Sequence, residues 1–172
     1  MKKLSATCFV LFSLTFSFGQ NSDIKSMVDS LQFMKADTLD CSANLYWRVI
    51  AKGDRAVPFL IDKLTDTTMT NISWHCKKNK LNVGEIAHFA LDEIMFLPTA
   101  VITKMQFDLI IDGCWTFYDY FFDNKNKVSY QKMLKDWYSL NVIKYKPVKI
   151  PKKKLSKCKL KYNIDTYYDW EN

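Results

Sequence analysis

Beyond its first nineteen residues this chain has no apolar run approaching the roughly eighteen residues of a membrane-spanning helix. No transmembrane segment is therefore expected in the mature chain. Glycine and proline are sparse, four of each in 172 residues, and the loop around Cys76 has no glycine-rich turn to supply oxyanion donors. The cysteines lack the paired CxxC spacing of a zinc site, and the two histidines do not form HExxH. No cofactor motif is present. These absences remove the commonest catalytic signatures and leave a non-catalytic reading as the expectation.

The chain opens MKKLSATCFVLFSLTFSFGQ. Lys2 and Lys3 precede a short apolar run from Leu4 to Phe18, and Ser17 and Gly19 occupy the small-residue positions of a cleavage site. This is the pattern of a secretory signal peptide over residues 1–19, with an exported product, periplasmic or secreted. Export changes the meaning of the four remaining cysteines, Cys41, Cys76, Cys114 and Cys158. In an oxidising compartment they can form disulfides, and three pairings are open.

The formal charge of +7 is unevenly spread. Nine lysines and no acid lie between Lys144 and Lys161, whereas residues 20–143 hold 14 basic and 15 acidic groups, a net of −1. The basic character belongs to residues 144–172, read as an extended Lys-rich tail that is partly docked. Within it residues 144–156 are expected to be loosely held. Cys158, Leu160, Tyr162 and Ile164 alternate with polar residues as on a strand, with Leu160 and Tyr162 inward and Lys159 and Lys161 in water.

Residues 20–143 read as a compact helical domain, so the fold class is mainly α. Ile24, Met27, Val28, Leu31 and Met34 recur at helical spacing. A second helix over about 42–52 ends at Gly53, and Asp54 is placed to cap a third, RAVPFLIDKL, with Pro58 in its first turn. A polar loop, 65–82, follows. Asn82 and Glu85 form a capping box opening a helix lined by Val83, Ile86, Ala87, Ala90, Leu91 and Ile94, with Pro98 marking its end. Residues 99–112 suit either helix or strand. Gly113 breaks the chain before Trp115, Phe117, Tyr118, Tyr120, Phe121 and Phe122, which are dense enough to be core. Tyr130, Met133, Leu134, Trp137 and Leu140 share one face of a last helix.

Gly53, Ala56, Val57, Pro58, Leu60, Leu64 and Asp66, then Val83, Ala87, Ala90, Leu91 and Ile94, resemble the two helices of a HEAT-like repeat. NLYWRVIAK stands as the last helix of a preceding half-repeat, so the likeness spans residues 43–95. Two features depart from such repeats: Gly84 stands where arginine is usual, and the inter-helix turn is swollen to roughly sixteen residues. Helix pairs of this kind need about three copies to close a core, so the downstream helices must complete it.

Candidate site residues concentrate in SWHCKKNKLNVGEIAHFALDEI, residues 73–94, which holds both histidines within fourteen residues. His75, Cys76, Glu85 and His88 could ligate a metal, and Cys76 with either histidine could act as a nucleophile, its thiol acidified by Lys77, Lys78 and Lys80. Against this, Glu85 is accounted for by capping, and His88 sits between Ala87 and Phe89 as a hydrogen-bonded flank residue would. The favoured expectation is an interaction module binding a protein or an anionic envelope component through loop 65–82 and the tail. Its contact residues are Trp74, Lys77, Lys78, Lys152, Lys153 and Lys154. The alternative is a small enzyme or metal-binding protein using His75, Cys76 and His88. Export argues against nucleic acid as the partner of the lysines.

The signal peptide carries its own test. Mass spectrometry of protein recovered from its host should find the mature N-terminus at Gln20, or at Asn21 for a cut one residue later. An intact Met1 would remove the export argument.

Overall fold

The computed structural model describes residues 21–107 and 109–171; the signal-peptide expectation for residues 1–19 lies outside them. Residues 21–29 are helical (α1) and tighten into a 3₁₀ turn over Ser30–Phe33. Then come α2 (Asn44–Ile50), a 3₁₀ turn over Gly53–Ala56, α3 (Val57–Lys63), α4 (Val83–Ile94) and α5 (Thr99–Thr103). A hairpin of β1 (Ile110–Ile111) and β2 (Cys114–Trp115) leads to α6 (Phe117–Phe122) and the long α7 (Asn124–Asn141). The chain closes with β3 (Tyr145–Lys149), a 3₁₀ turn over Lys152–Lys154, α8 (Lys157–Lys161) and β4 (Thr166–Trp170). The protein is mainly α, with two small antiparallel sheets, β1–β2 and β3–β4.

The core forms around α4, where Val83, Ile86, Ala87, Ala90, Leu91 and Ile94 are all buried. Glu85 and His88 are buried with them, so α4 is covered on nearly every side, as a helix apolar on most faces must be. α3 and α2 pack against it, β4 touches it, and α7 packs against α3, α5 and α6. Leu60, Ile61 and Leu64 from the α3 segment face inward beside Ile24, Val28 and Leu31.

Gly84 has a steric explanation. A Cβ built there would lie 2.2 Å from the carbonyl oxygen of Leu64, and the Gly84 N–H donates to the Asp66 carbonyl at 2.9 Å. Backbone meets backbone where α4 begins against the end of α3, so no side chain fits, least of all arginine.

Several expectations change in the folded chain. The second helix ends at Ile50 with Ala51 as its C-cap, short of Gly53; Gly53, at φ +61°, opens the 3₁₀ turn that leads into α3, and Asp54 makes no side-chain cap. α4 stops at Ile94, well before Pro98, because Met95 bridges to Tyr168 and the Phe96 N–H donates to the Tyr168 carbonyl at 2.9 Å. Residues 99–111 contain both a helical turn and a strand. Leu140 is 79% exposed and not on the buried face of α7.

The tail departs furthest from its expectation. β3 pairs with β4 along its whole length, from Tyr145 opposite Trp170 to Lys149 opposite Thr166, so residues 145–149 are held by backbone bonds. Residues 157–161 are helical, opened by Ser156, whose side chain accepts from the Lys159 N–H. Only Cys158 and Leu160 of the expected alternation fall within this helix, too few to fix a period. On the helix Leu160 is 50% exposed, whereas Lys159 reaches Glu93 at 2.8 Å with 15% of its side chain exposed. Tyr162 stacks on Trp47, and Ile164 is buried. Disulfides join Cys41 to Cys158 and Cys76 to Cys114.

Leu60→Ala and Leu91→Ala should each cost about 2–5 kcal/mol in urea unfolding, since both side chains are fully buried. Leu140→Ala should change stability by less than about 0.5 kcal/mol. Equal effects at all three positions would contradict the assigned faces.

Candidate functional site

The first turn of α4 gathers the charges of the 73–94 stretch. The Glu85 N–H donates to Asn82 Oδ1 at 3.0 Å, and the Asn82 N–H donates to Glu85 Oε2 at 2.9 Å, closing the capping box read in the sequence. The same carboxylate accepts from Lys77 Nζ at 2.6 Å and from Lys127 Nζ at 2.7 Å. Glu85 and Lys127 have no exposed side-chain surface, and Lys77 keeps 17%. Two ammoniums thus share one anion. Lys77 also lies 5.0 Å from the centre of the Phe122 ring, and Lys127 lies 5.6 Å from that of Phe121. Burial pushes Lys127 below its ordinary pKa, Glu85 opposes that shift, and the charge of Lys77 adds to it.

Lys127 was not among the residues singled out from the sequence. A signal existed, because Lys127 falls on the stripe of Tyr130 and Leu134, where a lysine must find a buried anion or leave the core.

His88 is fully buried, with ring centroids 4.5 Å from Phe121, 5.1 Å from Phe117 and 5.8 Å from Tyr130. Neither ring nitrogen meets a hydrogen-bond partner among the described residues. The expected hydrogen-bonded flank histidine is instead a core side chain. Burial lowers its pKa to about 3 and keeps it neutral at ordinary pH. Trp74 is likewise no exposed anchor. It is half-buried, with rings 4.6 Å from Tyr118, 4.8 Å from Phe89 and 5.7 Å from Phe122.

The four-residue metal set therefore does not assemble. Glu85 serves the lysines, His88 lies within the aromatic core, and Cys76 is bonded to Cys114. A different trio does come together: the ligand atoms of His75, Cys76 and Cys114 lie within 4.8 Å of one another near the surface.

Loop 65–82 is less free than its polarity suggests. Ile72 and Leu81 are fully buried, the Leu81 N–H donates to the Ile72 carbonyl, and the Ser73 N–H donates to Asp37. With Trp74 packed and Lys77 paired, Lys78 is the exposed candidate cation left there. The tail behaves differently. Lys152, Lys153 and Lys154 are all exposed on their 3₁₀ turn and have no carboxylate partner among the described residues. That turn is clamped before by the β3–β4 pairing and after by the Cys41–Cys158 bond. Lys149 pairs with Asp165 and Lys159 with Glu93. Beside Glu93, Asp92 has its pKa raised to about 7, chiefly by burial and then by Glu93's charge.

The loop and the tail anchor at opposite ends of α4, Lys77 on Glu85 and Lys159 on Glu93. Eight residues of helix put those anchors about 12 Å apart. A surface depression of about 410 Å³ beside Phe33, Met34 and Leu45 is lined by neither histidine nor cysteine.

Glu85→Gln keeps the capping geometry but leaves two lysines around a neutral group. It should cost about 3–5 kcal/mol at pH 7. Lys127→Met leaves Glu85 paired with Lys77 and should cost clearly less. Denaturant unfolding of both variants gives the order; the reverse order would contradict the shared-anion arrangement.

No protein-family model, curated protein or solved structure matches this chain.

Proposed function

We propose that this protein is an exported, non-catalytic interaction module. In this reading residues 43–95 form a HEAT-like helical scaffold, and the basic C-terminal surface docks an anionic partner. The observation that carries it is the exposed Lys152–Lys154 turn, held at both ends by a strand pair and a disulfide. Three cations without carboxylate neighbours among the described residues repel one another, and an external anion relieves that repulsion. Because the turn is clamped, little order has to be gained on binding.

An acidic protein surface suits this site better than a polyanionic polymer. Exposed apolar side chains lie in the elements on both sides of the turn, Val148 in β3 and Leu160 in α8. A mixed apolar and cationic surface matches a protein interface, whereas a polymer needs charge alone. The two disulfides suit the oxidising, extracellular or periplasmic setting that the reading requires. No helix among the described residues is long and apolar enough to cross a membrane.

Affinity capture from the secreted or periplasmic fraction, at low and raised salt, tests the reading. The combined variant Lys152→Gln, Lys153→Gln, Lys154→Gln should bind the captured protein roughly threefold to a hundredfold more weakly, at about 0.2–1 kcal/mol per exposed charge pair. Its binding should also depend less on salt. Lys78→Gln, near the other end of α4, should leave binding unchanged. Binding that ignores both salt and the triple substitution would overturn the proposal. Equal retention on an unstructured polyanion would move the partner class to polymers.

A further inference from the structure

We propose that the Cys76–Cys114 disulfide is the closed form of a soft-metal site, which opens on reduction with His75, Cys76 and Cys114 as ligands. The three ligand atoms already lie within 4.8 Å of one another, with His75 exposed and both cysteines half-buried. Two thiolates and an imidazole favour a soft or borderline d¹⁰ cation, zinc or cuprous copper, over calcium or magnesium. Zn–S bonds of about 2.3 Å in a tetrahedral site put two sulfurs about 3.7 Å apart, so the freed side chains need only a small separation.

The site depends on the two segments staying together without their covalent bond, and each is held independently. On one side of Cys76, Trp74 packs against Tyr118 and Phe89; on the other, Lys77 is fixed to buried Glu85. Cys114 belongs to the β1–β2 hairpin, next to Trp115, whose indole N–H donates to the Phe107 carbonyl and whose ring lies 5.1 Å from buried Phe117. The second disulfide has no such prospect, since His75 serves the first and His88, the other histidine, lies in the aromatic core.

The chemistry balances with a dithiol as reductant. The dithiol passes two electrons and two protons to the Cys76–Cys114 bond, which becomes two thiols, while the dithiol closes to its own disulfide. Binding one Zn²⁺ then releases two thiol protons to solvent. The site is distinct from the tail lysines and stands or falls separately from their role.

The test uses the mature chain, reduced and freed of reductant under anaerobic conditions. Zn²⁺ is titrated against a chromophoric chelator, and Co²⁺ serves as the spectroscopic probe. Reduced protein should bind one Zn²⁺ with release of two protons, and its Co²⁺ adduct should show thiolate-to-metal charge transfer; oxidised protein should show neither. His75→Ala should weaken binding by about tenfold or more, Cys41→Ser with Cys158→Ser should leave it intact, and Cys76→Ser with Cys114→Ser should abolish it. The proposal is overturned if reduced wild type binds no more tightly than the Cys76→Ser, Cys114→Ser protein, or if His75→Ala has no effect. Loss of near-ultraviolet dichroism on reducing this one bond, in the Cys41→Ser, Cys158→Ser background, would overturn it as well, because the segments would not have stayed in place.

Discussion

The carboxylate of Glu85 is the point on which the rest of this structure depends. It caps α4, holds Lys77 of the loop and holds Lys127 of α7, all with no exposed surface of its own. A buried carboxylate is costly unless its lone pairs are filled. Here they are filled by Asn82 and Lys77 from the loop and by Lys127 from α7. The loop conformation that fixes Lys77 also sets Trp74 among the aromatics and Cys76 opposite Cys114. The same ion cluster that orders the core therefore shapes the surface where the His75 trio lies.

The two disulfides act at longer range. Cys41–Cys158 closes a separation of 117 residues and Cys76–Cys114 one of 38. In the chain-entropy account a loop of about 100 residues is worth about 4–5 kcal/mol and one of about 40 somewhat less. The longer one holds the lysine-rich segment near the start of α2, where Lys161 Nζ donates to the Cys41 carbonyl. Nine lysines that would repel one another as a free arm are instead held in place, Lys144 just before β3 and the other eight spread over a strand, a turn and a short helix. Glu93 and Asp165 neutralise two of them.

Much of the helical architecture was legible because it rests on local rules. The Asn82–Glu85 box and the stripe through Leu91 and Ile94 follow from spacing and backbone chemistry. The errors occur where a distant segment intervened. α4 ends early because β4 pairs with Met95, and 157–161 coils because Ser156 caps it and Cys158 must reach Cys41. Lys127 was missed because its anion lies 42 residues away.

Sequence alone determined the helix periodicities, the capping box, the uneven placement of charge and the set of cysteines available for bonding. Each is a property of neighbours along the chain. Tertiary structure alone decided that His88 is core, that Glu85 is a shared counter-ion, that Trp74 faces inward and that His75 meets Cys76 and Cys114. Those outcomes depend on which remote groups share a small, poorly hydrated volume. There the cost of burying charge selects partners that no local spacing records.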